Sequence, residues 1–505
     1  MERLWHKESD AVGATYVDLF KSVPKSIINN VPSSNRCCKN NETSTALRTE
    51  GNKKFLAEKW EDAMQYYNWS LCFAENESEN VGLAYANRSA CFFHMKMHDK
   101  VIVDVELAKR SNVPDRLLPK LQQRKRDSEN VKKIQSRQFE WTPKLSYPAN
   151  ENWPCMSDVV EVRRNVEFGR HMVAKCDIPA GKIILLEENF MMVKNNDEPL
   201  CYTCFRNQAN FIPCAKCSVV IFCSTECMDR NTTHKFECGT FFHTLHIEDK
   251  FQIKLILLAI ELFDSAENLM KFVDEILAED PSKLPAALHD AKSKYHFFLK
   301  LGKVPPTTFD ITSETYKICR NVMAIPKIGD LFNTTEKQRF ITHLVAHHFL
   351  ATNNNTYGDE SNTTVALVLS MLNHSCSPNL HNYAVRHKRC SVTIRPVKKG
   401  QQLFTTYLTD GEKPLEQRQK ELKQWWGFEC KCEYCRSGNR SMDVKMALTN
   451  PTLRYVLANY SIKENHSVVM DKCLKFLNKR TNAPWSMDIQ VMAAVLGHIY
   501  NAMQT

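Results

Sequence analysis

Between Cys201 and Cys238 the chain places seven cysteines and one histidine in the order C-x2-C, x9, C-x2-C, x5, C-x3-C, x6, H-x3-C. Thiolate and imidazole in sets of four are what a tetrahedral zinc ion takes, and a gap of two or three residues lets one turn present two ligands to one ion. The eight donors Cys201, Cys204, Cys214, Cys217, Cys223, Cys227, His234 and Cys238 therefore fill two sites with none left over. His234 and Cys238 are i, i+4 and would face the same way from a helix. A buried cysteine acting as a small hydrophobe explains any one thiol. It does not explain evenly paired thiols in a 38-residue stretch rich in Lys, Arg and Asn.

A second constellation lies downstream. Asn373-His374-Ser375-Cys376-Ser377-Pro378-Asn379 follows an apolar segment, Leu403 to Leu408 reads as a strand leading through Tyr407, and Cys430-Lys431-Cys432-Glu433-Tyr434-Cys435 comes soon after. C-x-C-x2-C offers three ligands, so a zinc ion held by Cys430, Cys432 and Cys435 needs a fourth from elsewhere. Cys376 is the obvious candidate, which predicts contact between segments more than fifty residues apart.

The elements that must position these residues are several. At 505 residues the chain exceeds what one hydrophobic core serves, while 43% hydrophobic and 25% charged residues are ordinary for a folded soluble protein. The longest apolar runs, Leu255 to Ile260 and Val365 to Leu369, are core-sized, so no membrane span is expected. The opening Met1-Glu2-Arg3-Leu4-Trp5-His6 has no apolar block, and 20 cysteines without an export signal point to a reducing compartment, cytoplasm and nucleus. The net charge of +10 is spread along the chain. A basic cluster, Lys120 to Arg126 with Lys132 and Lys133, leaves nucleic-acid contact open. Without interleaved aromatics it reads more simply as a solvated helix face.

From Ala46 the residues Gly51, Phe55, Trp60, Ala63 and Tyr66-Tyr67, then Asn87-Arg88-Ser89-Ala90 through Asp104 and Ala108, recur like the helices of a tetratricopeptide (TPR) repeat. Equating Gly51 with Ser89 gives a period of 38. A generic helical hairpin is the plainer alternative. The proline-bearing link Trp141-Thr142-Pro143 to Trp153-Pro154 precedes strand signals at Val159 to Val162 and Ile183 to Leu186. Residues 245 to 330 read as amphipathic helices, Ser391 to Ile394 as a strand, and the tail from Met442 as helical.

The finger spacing resembles the MYND zinc finger. That resemblance implies a cross-braced arrangement, Cys201, Cys204, Cys223 and Cys227 on one ion and Cys214, Cys217, His234 and Cys238 on the other, and peptide partners. Phe168-Gly169-Arg170, the Asn373 to Asn379 run, Tyr407 and Phe428-Glu429-Cys430-Lys431-Cys432-x-x-Cys435 are similar to the SET-domain lysine methyltransferases. A MYND finger interrupting a SET domain marks the SMYD family, and the N-terminal repeats resemble its TPR-bearing member. The implied fold is multidomain α+β: a β-rich SET domain split by the finger and a helical insertion, flanked by α-helical TPR-like regions. Its parts would be an arm (1–40), a TPR-like array (41–140), the first SET part (141–200), the finger (201–238), a helical insertion (239–335), the SET core (336–428), a post-SET zinc site (429–440) and a C-terminal helical region (441–505).

The activity implied is methyl transfer from S-adenosyl-L-methionine to protein lysine, with three zinc ions per chain. Gly169, Arg170, Asn373, His374, Tyr407 and Phe428 would bind the cofactor, and Tyr407 would also be catalytic, orienting the amine and helping it lose its proton. Chromatin-associated proteins, partners of the finger and of the repeats, and a monomeric state are further expectations. Where relatives carry a second tyrosine this chain has Trp425-Trp426-Gly427. It has Gly400-Gln401-Gln402 for Gly-Glu-Glu, His171 for a glycine, and His347-His348 where relatives place a cofactor-binding asparagine. A zinc-dependent scaffold acting in transcriptional repression is the rival expectation.

Overall fold

The Asn40 side chain accepts the amide of Thr43 and so starts the first described helix, α1 (Asn41–Leu56). It is followed by α2 (Trp60–Phe73), α3 (Glu79–His94), α4 (His98–Lys109) and α5 (Leu118–Ile134). The computed structural model describes residues 38–134, 143–194, 199–207, 209–303, 311–359, 362–385, 387–408, 413–436, 449–480 and 485–502. The expected arm up to residue 37 and the start of the link at Trp141-Thr142 lie outside these residues, as does the tail from Met442 to 448. Asn41 to Glu79 and Trp60 to His98 are each 38 residues apart, the period read from Gly51 and Ser89. At Gly51 an added Cβ would lie 2.6 Å from the Tyr67 ring, so α1 and α2 meet through a residue with no side chain. Most of the basic stretch in α5 has partners: Lys125 pairs with Glu106 at 2.9 Å and Arg124 donates to the Ser89 hydroxyl at 2.6 Å. The side chains of Lys132 and Lys133 lie outside the described residues.

The strands form small sheets. β1 (Val160–Asn165) and β2 (Gly169–Ala174) make an antiparallel hairpin, with Asn165 opposite Gly169. β3 (Ile183–Glu188) joins a later three-stranded sheet and β4 (Met191–Lys194) another. The finger follows with β5 (Ile212–Pro213), β6 (Ile221–Phe222), α6 (Thr225–Asp229) and α7 (His234–Glu237). A helical run then takes over: α8 (Ile247–Glu261), α9 (Ala266–Ala278), α10 (Ala291–Leu299), α11 (Ile311–Met323), α12 (Pro326–Leu331) and α13 (Thr335–Thr352). The amphipathic expectation fails for α8. It is buried on every face, Lys250, Gln252 and Lys254 included, because it runs through the main core with strand β4 on one side and α11 and α13 on others.

β8 (Asn362–Val365) pairs with β4 on one side and with β7 (Thr356–Asp359) on the other, and β9 (Asn373–His374) pairs in parallel with β12 (Phe404–Thr405). Between them β10 (Leu380–Val385) and β11 (Lys388–Thr393) complete the sheet of β3. α14 (Leu415–Trp426) ends on Gly427 with φ +73, and α15 (Glu433–Arg436) carries Cys435. Three helices, α16 (Pro451–Asn459), α17 (His466–Asn478) and α18 (Met487–Ala502), cover the β10–β11 face, where Tyr500 stacks on Tyr383 at 5.2 Å. None of the described helices is long and apolar enough to cross a membrane.

Candidate active site and metal centres

Each of the three expected ligand sets converges. Cys201, Cys204, Cys223 and Cys227 form one group, Cys214, Cys217, His234 and Cys238 a second, and Cys376, Cys430, Cys432 and Cys435 a third, with the ligand atoms of each within 4.8 Å of one another. Individual separations are 3.5 Å for Cys204–Cys223, 3.8 Å for Cys214–Cys238, 3.7 Å from Cys217 Sγ to His234 Nε2 and 3.5 Å for Cys435–Cys376. Sulfurs at about 2.3 Å from a tetrahedral ion stand about 3.8 Å apart, so the donors fit zinc in chemistry and spacing. In each group at least one thiol is pushed toward the thiolate by hydrogen bonds from its neighbours: Cys201 by Cys204, Cys214 by Cys217, and both Cys430 and Cys432 by Cys376. His234 turns Nε2 toward the thiols and Nδ1 toward Glu237, 3.8 Å away. Glu237 is itself buried, accepting from the Tyr202 hydroxyl at 2.6 Å and pairing with Lys254 at 3.1 Å.

The finger is docked on the helical array. Trp69, Cys72 and Phe73 of α2 share a core with Phe211, Val220, Ile221 and Phe222. Beside it Arg88 and Asp104, both 0% exposed, form a two-pronged ion pair at 2.7 Å on each prong. Arg88 also donates to the Phe211 carbonyl at 3.1 Å, and Asn210 donates to Asp104 at 2.7 Å, so finger atoms complete a network that the array alone leaves open.

The third set closes beside the predicted catalytic tyrosine. β9 lies in register with β12, Phe404 opposite Asn373 and Thr405 opposite His374. The strand expected over Leu403 to Leu408 is shorter than read, Phe404–Thr405, because side chains take over its backbone groups. Asn379 accepts the Phe404 amide at 2.8 Å and donates to the Gln402 carbonyl at 2.9 Å, and His374 Nδ1 accepts the Tyr407 amide at 2.9 Å. Tyr407 Oη donates to the Leu372 carbonyl at 2.8 Å. Burial pushes the phenol well above its ordinary range, so it is neutral, its proton is committed to Leu372 and its lone pairs are turned elsewhere.

Asn373, His374 and Phe428 meet around this point, with the Gly169 turn fastened to them and the Arg170 side chain directed to Lys300. Gly169 has φ +60 and nothing within 4 Å of the place a Cβ would take, leaving open space beside the hairpin. Arg170 donates from Nη2 to the Lys300 carbonyl at 2.5 Å, while its buried Nη1 has no protein partner. Asn373 donates to the Phe168 carbonyl at 3.0 Å, which fastens the hairpin to the Asn373–Asn379 run. Phe428 lies 5.9 Å from the His374 ring and 6.4 Å from Tyr407. His374 is expected to bind partly through its backbone. Its imidazole is engaged at both nitrogens, Nδ1 by Tyr407 and Nε2 by Cys376 Sγ at 3.2 Å, so only its backbone is left for a cofactor.

Trp426 packs on Tyr407, centroids 5.2 Å apart, in the region where relatives carry a second phenol. His347 and His348 serve packing: His347 donates to the Leu299 carbonyl at 3.0 Å, and His348 meets the Tyr295 hydroxyl at 3.0 Å. Burial pushes His347 down to about 3 and His348 well below its ordinary value.

Three residues escaped the sequence reading. Glu187, buried at the end of β3, accepts the amides of Leu367, Val368 and Leu369 at 2.7–2.9 Å and so shapes the turn before Asn373. Arg418 on α14 is 0% exposed, with Nη2 3.7 Å from Cys435 Sγ and its guanidinium 4.3 Å from the Tyr434 ring. Burial works against its charge, but Cys435 and Cys376 more than offset that, as a cation facing four thiolates should behave. Asn379 was seen as part of the run but not as the side chain that shapes the Tyr407 loop.

Residues 169–408, just under half of the chain, match the family model of the SET domain, a span that includes the finger. Protein-lysine N-methyltransferase SMYD4 of Danio rerio is 26% identical over 228 residues, covering 40% of this chain and 30% of the relative. Its namesake in Mus musculus is 22% identical over 545 residues, covering 79% of this chain. Over most of its length the chain is similar to SMYD-family lysine methyltransferases. It spans 67% of the length of the mouse relative. A solved SET domain of LSMT bound to lysine and AdoHcy is 10% identical and covers 68% of this chain and 86% of its own, with a TM-score of 0.28, too loose a likeness to carry an argument.

Proposed function

We propose that the chain is a protein-lysine N-methyltransferase using S-adenosylmethionine, with a MYND-type finger, a TPR-type array and three structural zinc ions. The observation that carries the reading is the convergence of the Gly169 turn, Asn373 and Tyr407, with the Cys376 set closing one side. When bound, S-adenosylmethionine supplies a methyl made electrophilic by its sulfonium. The residues suited to hold it are Gly169, through its open backbone, Arg170, through its unpaired Nη1, Asn373, the backbone of His374, and the Phe428 ring. The neutral Tyr407 phenol accepts a hydrogen bond from the lysine amine and aims its lone pair along the transfer line. Because the neutral phenol keeps its own proton and donates it in a hydrogen bond to the Leu372 carbonyl, Tyr407 orients the amine and is not the base that removes its proton.

Methyl transfer to a histone and peptide array tests this. Tyr407→Phe is expected to lose roughly a hundredfold in kcat while S-adenosylmethionine still binds. Unchanged turnover removes the tyrosine from its role.

Trp426 against Tyr407 favours a second reading, a scaffold in transcriptional repression that binds cofactor weakly. The array supports peptide partners in either case, since a cavity of about 430 Å³ is lined by Asn52, Asn87, Lys120 and Arg124. Calorimetry without heat at high cofactor concentration selects the scaffold. Chromatin-associated substrates, a monomeric state and residence in cytoplasm and nucleus complete the proposal.

A further inference from the structure

The Asn373–Asn379 run serves two structures at once, and one side chain touches both. His374 is 7% exposed and sits with its ring 5.3 Å from Tyr407 and 5.9 Å from Phe428. Its Nδ1 accepts the Tyr407 backbone amide at 2.9 Å, which requires that nitrogen to be unprotonated. The neutral ring then carries its proton on Nε2, which points at Cys376 Sγ 3.2 Å away. An N–H directed at a metal-bound thiolate stabilises the thiolate's charge and fixes the direction of its lone pairs, as partners of metal ligands generally do. The buried Arg418 guanidinium, with Nη2 3.7 Å from Cys435 Sγ, also faces the cluster and compensates its charge. The imidazole joins a cluster sulfur directly to the Tyr407 amide, beside the Ser375–Thr405 backbone bond of 2.8 Å.

We propose that His374 is a positioning residue that couples the Cys376–Cys430–Cys432–Cys435 metal site to Tyr407, so that metal occupancy sets the placement of the methyl-transfer tyrosine. The proposal rests on the function argued above for its catalytic half, and on the metal site alone for the other. The geometry also predicts that the two halves separate. An asparagine amide oxygen occupies the place of Nδ1 and reaches nothing at Cys376, while a glutamine amide nitrogen occupies the place of Nε2 and offers no acceptor to Tyr407.

The experiment is chelator-driven zinc release followed beside methyl-transfer kinetics in full-length wild type, His374→Asn and His374→Gln, with circular dichroism to show that each variant is folded. His374→Asn is expected to release one ion of three at least roughly tenfold faster, with the other two unchanged. His374→Gln is expected to keep that ion at the wild-type rate and lose several-fold in kcat, with the Kd for S-adenosylmethionine unchanged. A ring that merely fills space gives the same result in both variants, and that outcome overturns the proposal, as does a wild-type chain holding only two ions. If the wild type transfers no methyl, the function falls, and the contrast in zinc release still decides the coupling to the metal.

Discussion

The finger and the Cys376 site use the same chemistry and are built in opposite ways. Eight finger ligands come from 38 consecutive residues, whereas Cys376 meets Cys435 across a separation of 59 positions. A local site needs turns at the right spacing. A distant one needs the rest of the fold to arrive first, and it reports on that fold. Their surroundings differ accordingly. The finger leans on the helical array through a buried ion pair whose members both lie in the array, while the Cys376 site leans on α14 through Arg418 and on the tyrosine loop through His374. Metal loss should therefore loosen the array–finger contact in one case and the proposed active site in the other.

The sharpest way to break this comparison is to uncouple the array. Asp104→Asn leaves Arg88 buried beside the Phe211 carbonyl without its counter-ion, a change worth about 3–5 kcal/mol. Urea unfolding should show the array melting earlier, and chelators should take the two finger ions faster while the Cys376 ion keeps its wild-type rate. Equal loss of all three would mean that the regions are not independent. Glu187→Gln acts on the other side. It replaces a carboxylate that accepts three amides with an amide whose NH₂ opposes them, at about 2 kcal/mol, and should lower the stability of the core and cofactor binding without disturbing finger zinc.

The smallest effect expected is a pH dependence from α13. His347 and His348 are held neutral by burial, so their stabilisation is present above the unfolded histidine value near 6.5 and is lost as pH falls toward the folded values. His348→Gln should therefore shed about 1 kcal/mol less than wild type between pH 6.5 and 5.5 in denaturant titrations.

What could be read from the chain followed the range of the interactions. The zinc ligands and the 38-residue helix period are local patterns, and the Cys376 partner followed from counting ligands. Arg88, Glu187 and Arg418 were illegible because a lone charged residue in a polar helix or at a strand end looks solvated until its distant partner is known. The strand through Tyr407 was overread for a related reason: Asn379 and His374, 28 and 33 positions before Tyr407, supply the bonds that a neighbouring strand would otherwise make. The apolar character of α8 did not reveal whether one face or all of them is covered. That is set by β4, α11 and α13 packing around it.

The central claim is that distant segments meet on one ion beside Tyr407, and the zinc content of the purified chain tests it most directly. Elemental analysis should find three zinc ions in the wild type and two in Cys376→Ser, with the finger sites retained in both. Two ions in the wild type, unchanged by the substitution, would contradict it.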